Sequence, residues 1–469
     1  MSALEQLRHA FDVPGPRPPL RVLAASGQLG YGIPEAALEA GLERRPHVIG
    51  ADMGSIDPGP AYLGSGRMAT TPALSKRDLA LVLEGARRLE VPLLIGSAGT
   101  AGTQAQLDEV VHLVREIAHQ GGLRFKLATI QADMPRERII RAVAGGKVKP
   151  IGAIEALDRG TVDAAANVVG QMGLEAFARA LESGADVVVA GRACDTAPFA
   201  VVPALLGFPL GLAMHLAKII ECTSLCCEPG GRDAMLATLD DEGFVLESMN
   251  PERAATPLSV AAHALYEQAD PYRVAEPEGV LHLDGARYEA VDERRVRVSG
   301  ARWQAAPLPS VKIEGAERLG QRAVMLAAAA DQRFIAQLDD ILATIEGTVR
   351  AILPSPPNSP YTLHFRRYGL DGVVDWPSPP ELAPREVFIL GECLADSTEQ
   401  ALSVLGVARQ HLLHHGFPGR LSSGGNLAFP LTPPELAAGT AYRFSIYHIM
   451  ELDDADELAS LFPVRCEDV

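Results

Sequence analysis

Among 469 residues the chain has two tryptophans, six cysteines and no long unbroken apolar run. The cysteines, with Cys226 and Cys227 adjacent, do not resemble the paired framework that staples small secreted domains. The longest apolar stretch, FAVVPALLGFPLGLAM (199–214), is interrupted by Pro and Gly and falls short of a membrane span. MSALEQLRHAFDV at the N-terminus carries charges throughout and has no h-region, so no signal peptide is read there. Positive charge is scarce as well: 42 Lys and Arg stand against 59 Asp and Glu, for a net charge of −17. Without a basic stripe, neither nucleic acid nor an anionic membrane is an expected partner. A local anion pocket made of backbone N–H groups is still open to such a chain. The dinucleotide fingerprint, the P-loop, the Ser nucleophile elbow, the zincin helix and the kinase signatures are all missing. These absences predict a soluble, cytoplasmic protein, and its length predicts roughly two to four domains at about 150 residues each.

The first half repeats one rhythm. LRVLAASG (20–27), HVIGADMG (47–54), VPLLIGS (91–97), FKLATIQAD (125–133) and ADVVVAGR (185–192) are short apolar runs that end in small or polar residues. Between them lie helical periodicities: Leu107, Val110, Val111, Val114 and Ile117 share one face, as do Phe177 and Leu181 before Gly184. Apolar strands alternating with amphipathic helices predict an α/β fold with a mostly parallel sheet covered by helices on both faces.

After about residue 235 the pattern changes. FVLESM, GVLHLDGARYEAVDERRVRVSGARW and PSVKIEGAERLGQRAVMLAA read as antiparallel strands, with turns at Asp284-Gly285 and Ser299-Gly300. DQRFIAQLDDILATIEGTVRAIL reads as one long helix, and LPSPPNSPY (353–361) as a linker. The expected organisation is an α/β ligand-binding domain over 1–235, a β-rich segment with a long helix over 236–352, and a small α+β unit over 361–469.

In parallel α/β sheets, ligands bind beyond the carboxyl ends of the strands. Here those ends hold ASGQLGYG with Gly27 and Gly30, GADMGSIDPGP with Asp52, Ser55 and Asp57, GSAGTAG with Gly96, Ser97, Gly99, Thr100 and Gly102, and AGRACDTAP with Arg192, Cys194 and Asp195. Glycines at such ends let backbone N–H groups approach an anion, although tight turns favour the same residues. Asp52, Asp57 and Asp195 are the candidate catalytic carboxylates, and Arg192 the candidate partner for a substrate carboxylate or phosphate. Cys194 lies between Arg192 and a helix start, both of which lower a thiol pKa; a buried, inert cysteine is the competing reading. In ECTSLCCEPGGRD (221–233) the cysteines read as buried thiols, while Glu221, Glu228, Arg232 and Asp233 either line a pocket or sit on a solvated loop. HLLHH (411–415) reads as ordinary helix packing, so no metal ligands are assigned.

GADMGSIDPGPAYLGSG, LLIGSAGTAG, GADVVVAGRACD, KIIECTSLCCEPGGRD, TPLSVAAHALYEQADPY, DERRVRVSGARW and HHGFPGRLSSGGNLAFPLTPPE together resemble the acyclic terpene utilisation (AtuA) family over nearly the whole chain. The resemblance implies breakdown of branched acyl compounds, with no catalytic residue to carry over. Longer family members are similar but carry an extra ferredoxin-like C-terminal domain, which this sequence is expected to lack.

The leading expectation is a lyase, hydratase or isomerase acting on a small anionic acyl or carboxylate substrate. A CoA thioester is one candidate substrate, and the sequence calls for no cofactor. The alternatives are a non-catalytic ligand-binding or scaffold subunit and a nucleotide-dependent oxidoreductase. A homo-oligomer, and a separate small ferredoxin-like chain as partner, are also expected.

Overall fold

The five apolar runs of the first half become five neighbouring parallel strands in a computed structural model, which describes residues 1–266, 268–355, 358–374, 384–421 and 424–469. Their order is Leu20–Ser26, Val48–Asp52, Leu93–Gly96, Val187–Ala190 and Lys126–Ile130. Alternate residues of each strand face opposite cores. Leu23, Ile49, Leu93, Ile95 and Val187 pack with the helices Glu35–Glu43, Pro72–Leu89 and Gln104–Gly121. Val22, Val48, Leu94 and Val188 pack with Leu174–Glu182, Ala197–Leu205 and Leu210–Ile220. Burial on both faces is why these strands read as continuous apolar runs rather than as alternating ones.

The helices start where local chemistry dictates. Thr103 caps Gln104–Gly121 and forms a capping box with Gln106, and Gly122 ends that helix at φ 61°. Thr71 caps the helix that opens at Pro72.

Two compact units make up the chain: Met1–Glu317 with Phe444–Val469, and Arg318–Arg443. These limits differ from those expected at 235, 352 and 361. Met235–Leu239 and Gly243–Ser248 pair antiparallel next to Leu20–Ser26, and Arg295–Ser299 and Arg287–Ala290 continue the same sheet outward. Residues beyond 235 thus extend the parallel sheet, because its first strand offered an open edge. At the other edge Val464–Asp468 pairs antiparallel with Lys126–Ile130.

The turn signals at Asp284-Gly285 and Ser299-Gly300 mark crossings rather than hairpins. Gly279–His282 belongs to a three-stranded sheet with Arg273–Glu276 and Arg302–Ala305, whereas Arg287–Ala290 and Arg295–Ser299 edge the large sheet. The chain therefore passes twice between the sheets, and at the passing point a Cβ on Gly300 would lie 2.2 Å from the Gly285 carbonyl oxygen. Only two glycines let the crossings lie this close.

In the second unit Val387–Ala395 pairs antiparallel with Thr362–Tyr368 and with the part of Ser310–Ala329 from Gln321 on. Helices Leu338–Ile352 and Thr398–His414 supply Ile341, Ile345, Val404 and Leu405 to its core. The expected long helix is two, Gln332–Ile335 and Leu338–Ile352, broken at Ala336 and Gln337. The expected linker 353–361 falls inside this unit, and its residues 356 and 357 lie outside the described ones. Leu412 of the HLLHH stretch is buried in the same core, while His411 and His414 are exposed.

Candidate functional site

A cavity of about 330 Å³ opens beyond the carboxyl ends of the first two parallel strands. Ser26 and Asp52 end those strands and reach it, and the loops behind them add Gly27, Tyr31, Ile33, Ser55 and Asp57. Asp195 comes from the loop after Val187–Ala190, and Glu221 and Cys222 from the end of helix Leu210–Ile220. Arg232 arrives by register. Met235 stands opposite Ala24 in the antiparallel pair, so residues just before it lie at the same rim.

Asp52 is buried at 2% exposure. Its Oδ1 accepts N–H bonds from Met53 (2.6 Å) and Gly54 (3.1 Å), while Oδ2 has no partner. Burial, reinforced by the charge of Asp195, pushes the Asp52 carboxyl well above the usual carboxylate range, against the pull of Arg192 and of the two backbone donors. Asp52 therefore keeps its proton more readily than an ordinary carboxyl, with the partly exposed Asp195 side chain nearby. Two carboxyl groups set apart by environment are the usual means of holding an acid and a base in one site.

Glu221 accepts from Lys218 Nζ at 2.6 Å. Burial, together with Asp195 and Glu276, pushes Glu221 up to about 8 despite this partner. Burial also opposes the charge of Lys218, but Glu221 outweighs it and raises the ammonium's pKa. The Lys218 Nζ also lies 5.5 Å from the centre of the Tyr266 ring, in the cavity wall. Thr223, another lining residue, holds φ 54°, a strained backbone for a β-branched side chain.

Gly27, Asp52, Ser55, Asp57 and Asp195 are brought together around one cavity. Asp57 and Pro58 form the middle of a turn closed by Gly59 N–H to Ile56 O (2.9 Å), so turn and cavity wall are the same feature. Of the acidic and basic residues of 221–233, Glu221 and Arg232 line the cavity; Asp233 pairs with Arg253 instead.

The 96–102 stretch does not reach the cavity. Gly96, Ser97, Gly99, Thr100 and Gly102 are buried, and the surrounding N–H groups already have acceptors inside the protein. Ser97 donates to Gly191 O, Ala98 to Ala190 O, Thr100 to Ser97 O and Gly102 to Ala98 O. Ala101 and Thr103 both donate to Gln106 Oε1. A Cβ on Gly102 would lie 2.0 Å from Arg192 N, and one on Gly99 would lie 2.7 Å from Gln106 Cβ. These glycines serve close packing, with φ +70° at Gly99 and +66° at Gly102. Gly30 is similar. Its N–H, with those of Gly32 and Ile33, donates to the buried carboxylate of Asp78, so the anion in that cradle is the protein's own.

Arg192 is also internal. Its Nε lies 2.9 Å from Glu314 Oε2, and NH1 reaches Ser97 Oγ and the Ala193 carbonyl. Burial opposes the Arg192 charge, but Glu314 and Asp195 raise its pKa; Lys312 adds a second cation to Glu314 at 2.9 Å. Of the two readings of Cys194, the geometry favours the buried, inert one. Burial pushes its thiol well above the ordinary value, and Glu276 and Glu278 push it further. The guanidinium expected to activate it is turned to Glu314, and the thiol is a hydrogen-bond partner of the Glu276 carboxyl.

Lys218, Glu276, Tyr31 and Tyr266 escaped the sequence reading. One signal was present: Lys218 is the sole charged residue of the apolar helix LGLAMHLAKII. Burial pushes Glu276 up to about 7, against the Thr196 hydroxyl that donates to it at 2.9 Å. Nothing local in the sequence foretold that a short strand of a separate sheet would bring it against Thr196 and Cys194. Among the described residues no helix is long and apolar enough to cross a membrane, and no group of three or more His, Cys, Asp or Glu could hold a metal ion.

No curated protein and no solved structure matches the chain. The family model described as "Acyclic terpene utilisation family protein AtuA" matches residues 75–426, which include Asp195, Glu221, Arg232 and Tyr266 of the cavity but not Asp52 or Asp57. That match covers well over half of the sequence, and the chain belongs to the acyclic terpene utilisation family.

Proposed function

We propose that the protein is an enzyme of small branched acyl or carboxylate breakdown, working by general acid–base catalysis in this cavity. The observation that carries the reading is Asp52, a buried carboxyl with an unpartnered Oδ2 that lines the same cavity as Asp195 and whose pKa burial raises. Its family, named for acyclic terpene utilisation, fits a branched, mostly apolar substrate, and Ile33, Leu225 and Tyr266 give the cavity apolar walls.

In a hydration, Asp195 takes a proton from water as its oxygen bonds to the β-carbon of an α,β-unsaturated acyl group. Asp52 gives its proton to the α-carbon. Proton return from Asp195 to Asp52 through solvent resets the site. In an isomerisation the same two groups move a proton between the α- and γ-carbons. The cavity's volume suits a compact acyl group at the lower end of small-molecule pockets.

The test is deuterium incorporation at carbon when 3-methylbut-2-enoate, longer branched enoic acids and their CoA thioesters are incubated with the protein in D₂O. The expected result is incorporation that falls by about 10²-fold or more in Asp52→Asn and in Asp195→Asn. Ligand binding without incorporation would favour a non-catalytic subunit instead.

A further inference from the structure

We infer that Arg232 is the anchor for a free carboxylate, so that the substrate is a small organic acid rather than its CoA thioester. This inference rests on the acid–base reading of the same cavity and names its substrate class.

Arg232 lines the cavity mouth and is exposed, and its guanidinium makes no hydrogen bond or ion pair with any described residue. Its neighbours are held firmly. Gly231 N–H donates to Ser224 O (3.1 Å), and Asp233 N–H donates to Ser224 Oγ (2.8 Å). Arg253 donates to the carbonyls of Pro229 (2.8 Å) and Gly230 (2.7 Å) and pairs with Asp233, whose Oδ1 also accepts from Asn250. A side chain on Gly231 would forbid this, since its Cβ would lie 2.2 Å from Arg253 Cζ. An anchored loop thus presents one unpaired guanidinium over a cavity.

The charges around it explain what that cation is for. The other ionisable lining groups are Asp52, Asp57, Asp195, Glu221, Tyr31, Cys222 and Tyr266, all of them neutral or anionic. Among the described residues Arg232 is the only cation of the lining; Lys218 lies behind the wall with its Nζ hydrogen-bonded to Glu221, and Arg192 pairs with Glu314. An anionic ligand entering past these acids needs a compensating partner, and a planar guanidinium matches a carboxylate with two parallel hydrogen bonds. Tyr31, close enough for Arg232 to influence its hydroxyl, stands ready as a further donor.

The same inventory speaks against CoA. Its pyrophosphate and 3′-phosphate call for several cations or for free backbone N–H groups. The lining offers one cation, and the two glycine-rich loops that could have cradled phosphate already hold Asp78 and Gln106. A free acid with its carboxylate at Arg232 places its apolar carbons among Ile33, Leu225 and Tyr266.

Calorimetric titration of 3-methylbut-2-enoate, longer branched enoic acids, their primary amides and their CoA thioesters tests this, using the wild type, Arg232→Gln and Arg232→Lys. The expected result is a preference for free acid over amide of tenfold or more in the wild type, lost in Arg232→Gln and partly restored in Arg232→Lys, with melting temperatures unchanged. Overturning results are a CoA thioester bound more tightly than its acid, an acid preference that survives in Arg232→Gln, or no binding of any acid. Failure of the underlying reading looks different. If the preference collapses in Arg232→Gln while no form of the protein exchanges deuterium into substrate, the carboxylate site stands and acid–base catalysis falls.

Discussion

Lys218 Nζ lies 2.6 Å from Glu221 Oε1 behind the wall of an acidic cavity, and burial nevertheless pushes Glu221 up to about 8. Raising the pH through that value adds a negative charge beside the bound ligand. Affinity for a carboxylate ligand is therefore expected to fall as pH rises through about 8, and this limb is expected to be absent in Glu221→Gln. Titration calorimetry at pH 6, 7, 8 and 9, as nominal conditions, checks it; a limb that persists in Glu221→Gln would assign the effect to another group.

Stability should follow the same sign. Burial raises the folded-state pKa of Glu221 from 4.5 to about 8, that of Glu276 from 4.5 to about 7, and that of Asp52 well above 3.8. Between each ordinary value and its raised value the folded chain holds more protons than the unfolded one, so stability declines as pH rises through that window. The melting temperature is expected to be higher near pH 5.5 than near pH 8, as scanning calorimetry at matched ionic strength would show. His47, His215 and His263, whose imidazoles burial pulls down to about 4, 3 and 4, act in the opposite sense below about pH 6.5, so an increase over the same interval would mean that they outweigh the three carboxyls.

Asp52→Asn replaces the buried carboxyl with a neutral amide that can still accept from Met53 and Gly54. It is expected to lower turnover by about 10²–10⁴-fold. At pH 7 it should also raise stability, because the unfolded wild type gains by ionising Asp52 and the variant has no such gain. That stability gain should shrink toward pH 4. Parallel assays and thermal melts would show the two effects moving in opposite directions.

Glu314→Gln leaves the buried Arg192 guanidinium without its main counter-charge. A loss of about 3–5 kcal/mol is expected, as for other broken buried pairs. Gly102→Ala should also destabilise, by about 1–3 kcal/mol or more, since its Cβ would meet Arg192 N at 2.0 Å in a left-handed backbone. Urea unfolding of both variants measures these losses. A Gly102→Ala protein of wild-type stability that fails to bind ligand would return the 96–102 loop to the binding site.

The parallel strands were legible because burial on both faces writes itself as unbroken apolar runs, and Asp52, Asp57 and Asp195 because strand ends can be counted along the chain. The 96–102 loop misled because sequence records the presence of glycines but not what their N–H groups already hold; Gln106 and residues 190–191 supply those acceptors. Arg192 as a ligand partner, and the reactive reading of Cys194, failed for a related reason. Their partners, Glu314 and Glu276, come from strands more than eighty positions further along and fold onto them only in three dimensions. The hairpin signals at 284–285 and 299–300 were true turns joining different sheets, a distinction that only pairing registers reveal.

The proposed acid–base pair requires Asp52 to hold a proton at neutral pH. An infrared difference spectrum between the wild type and Asp52→Asn at pH 7, recorded in H₂O and in D₂O, tests it without knowledge of the substrate. The account predicts a protonated-carboxyl C=O band, present in the wild type, sensitive to deuteration and missing from the variant. A difference confined to carboxylate bands would show Asp52 ionised and would contradict the acid–base pair.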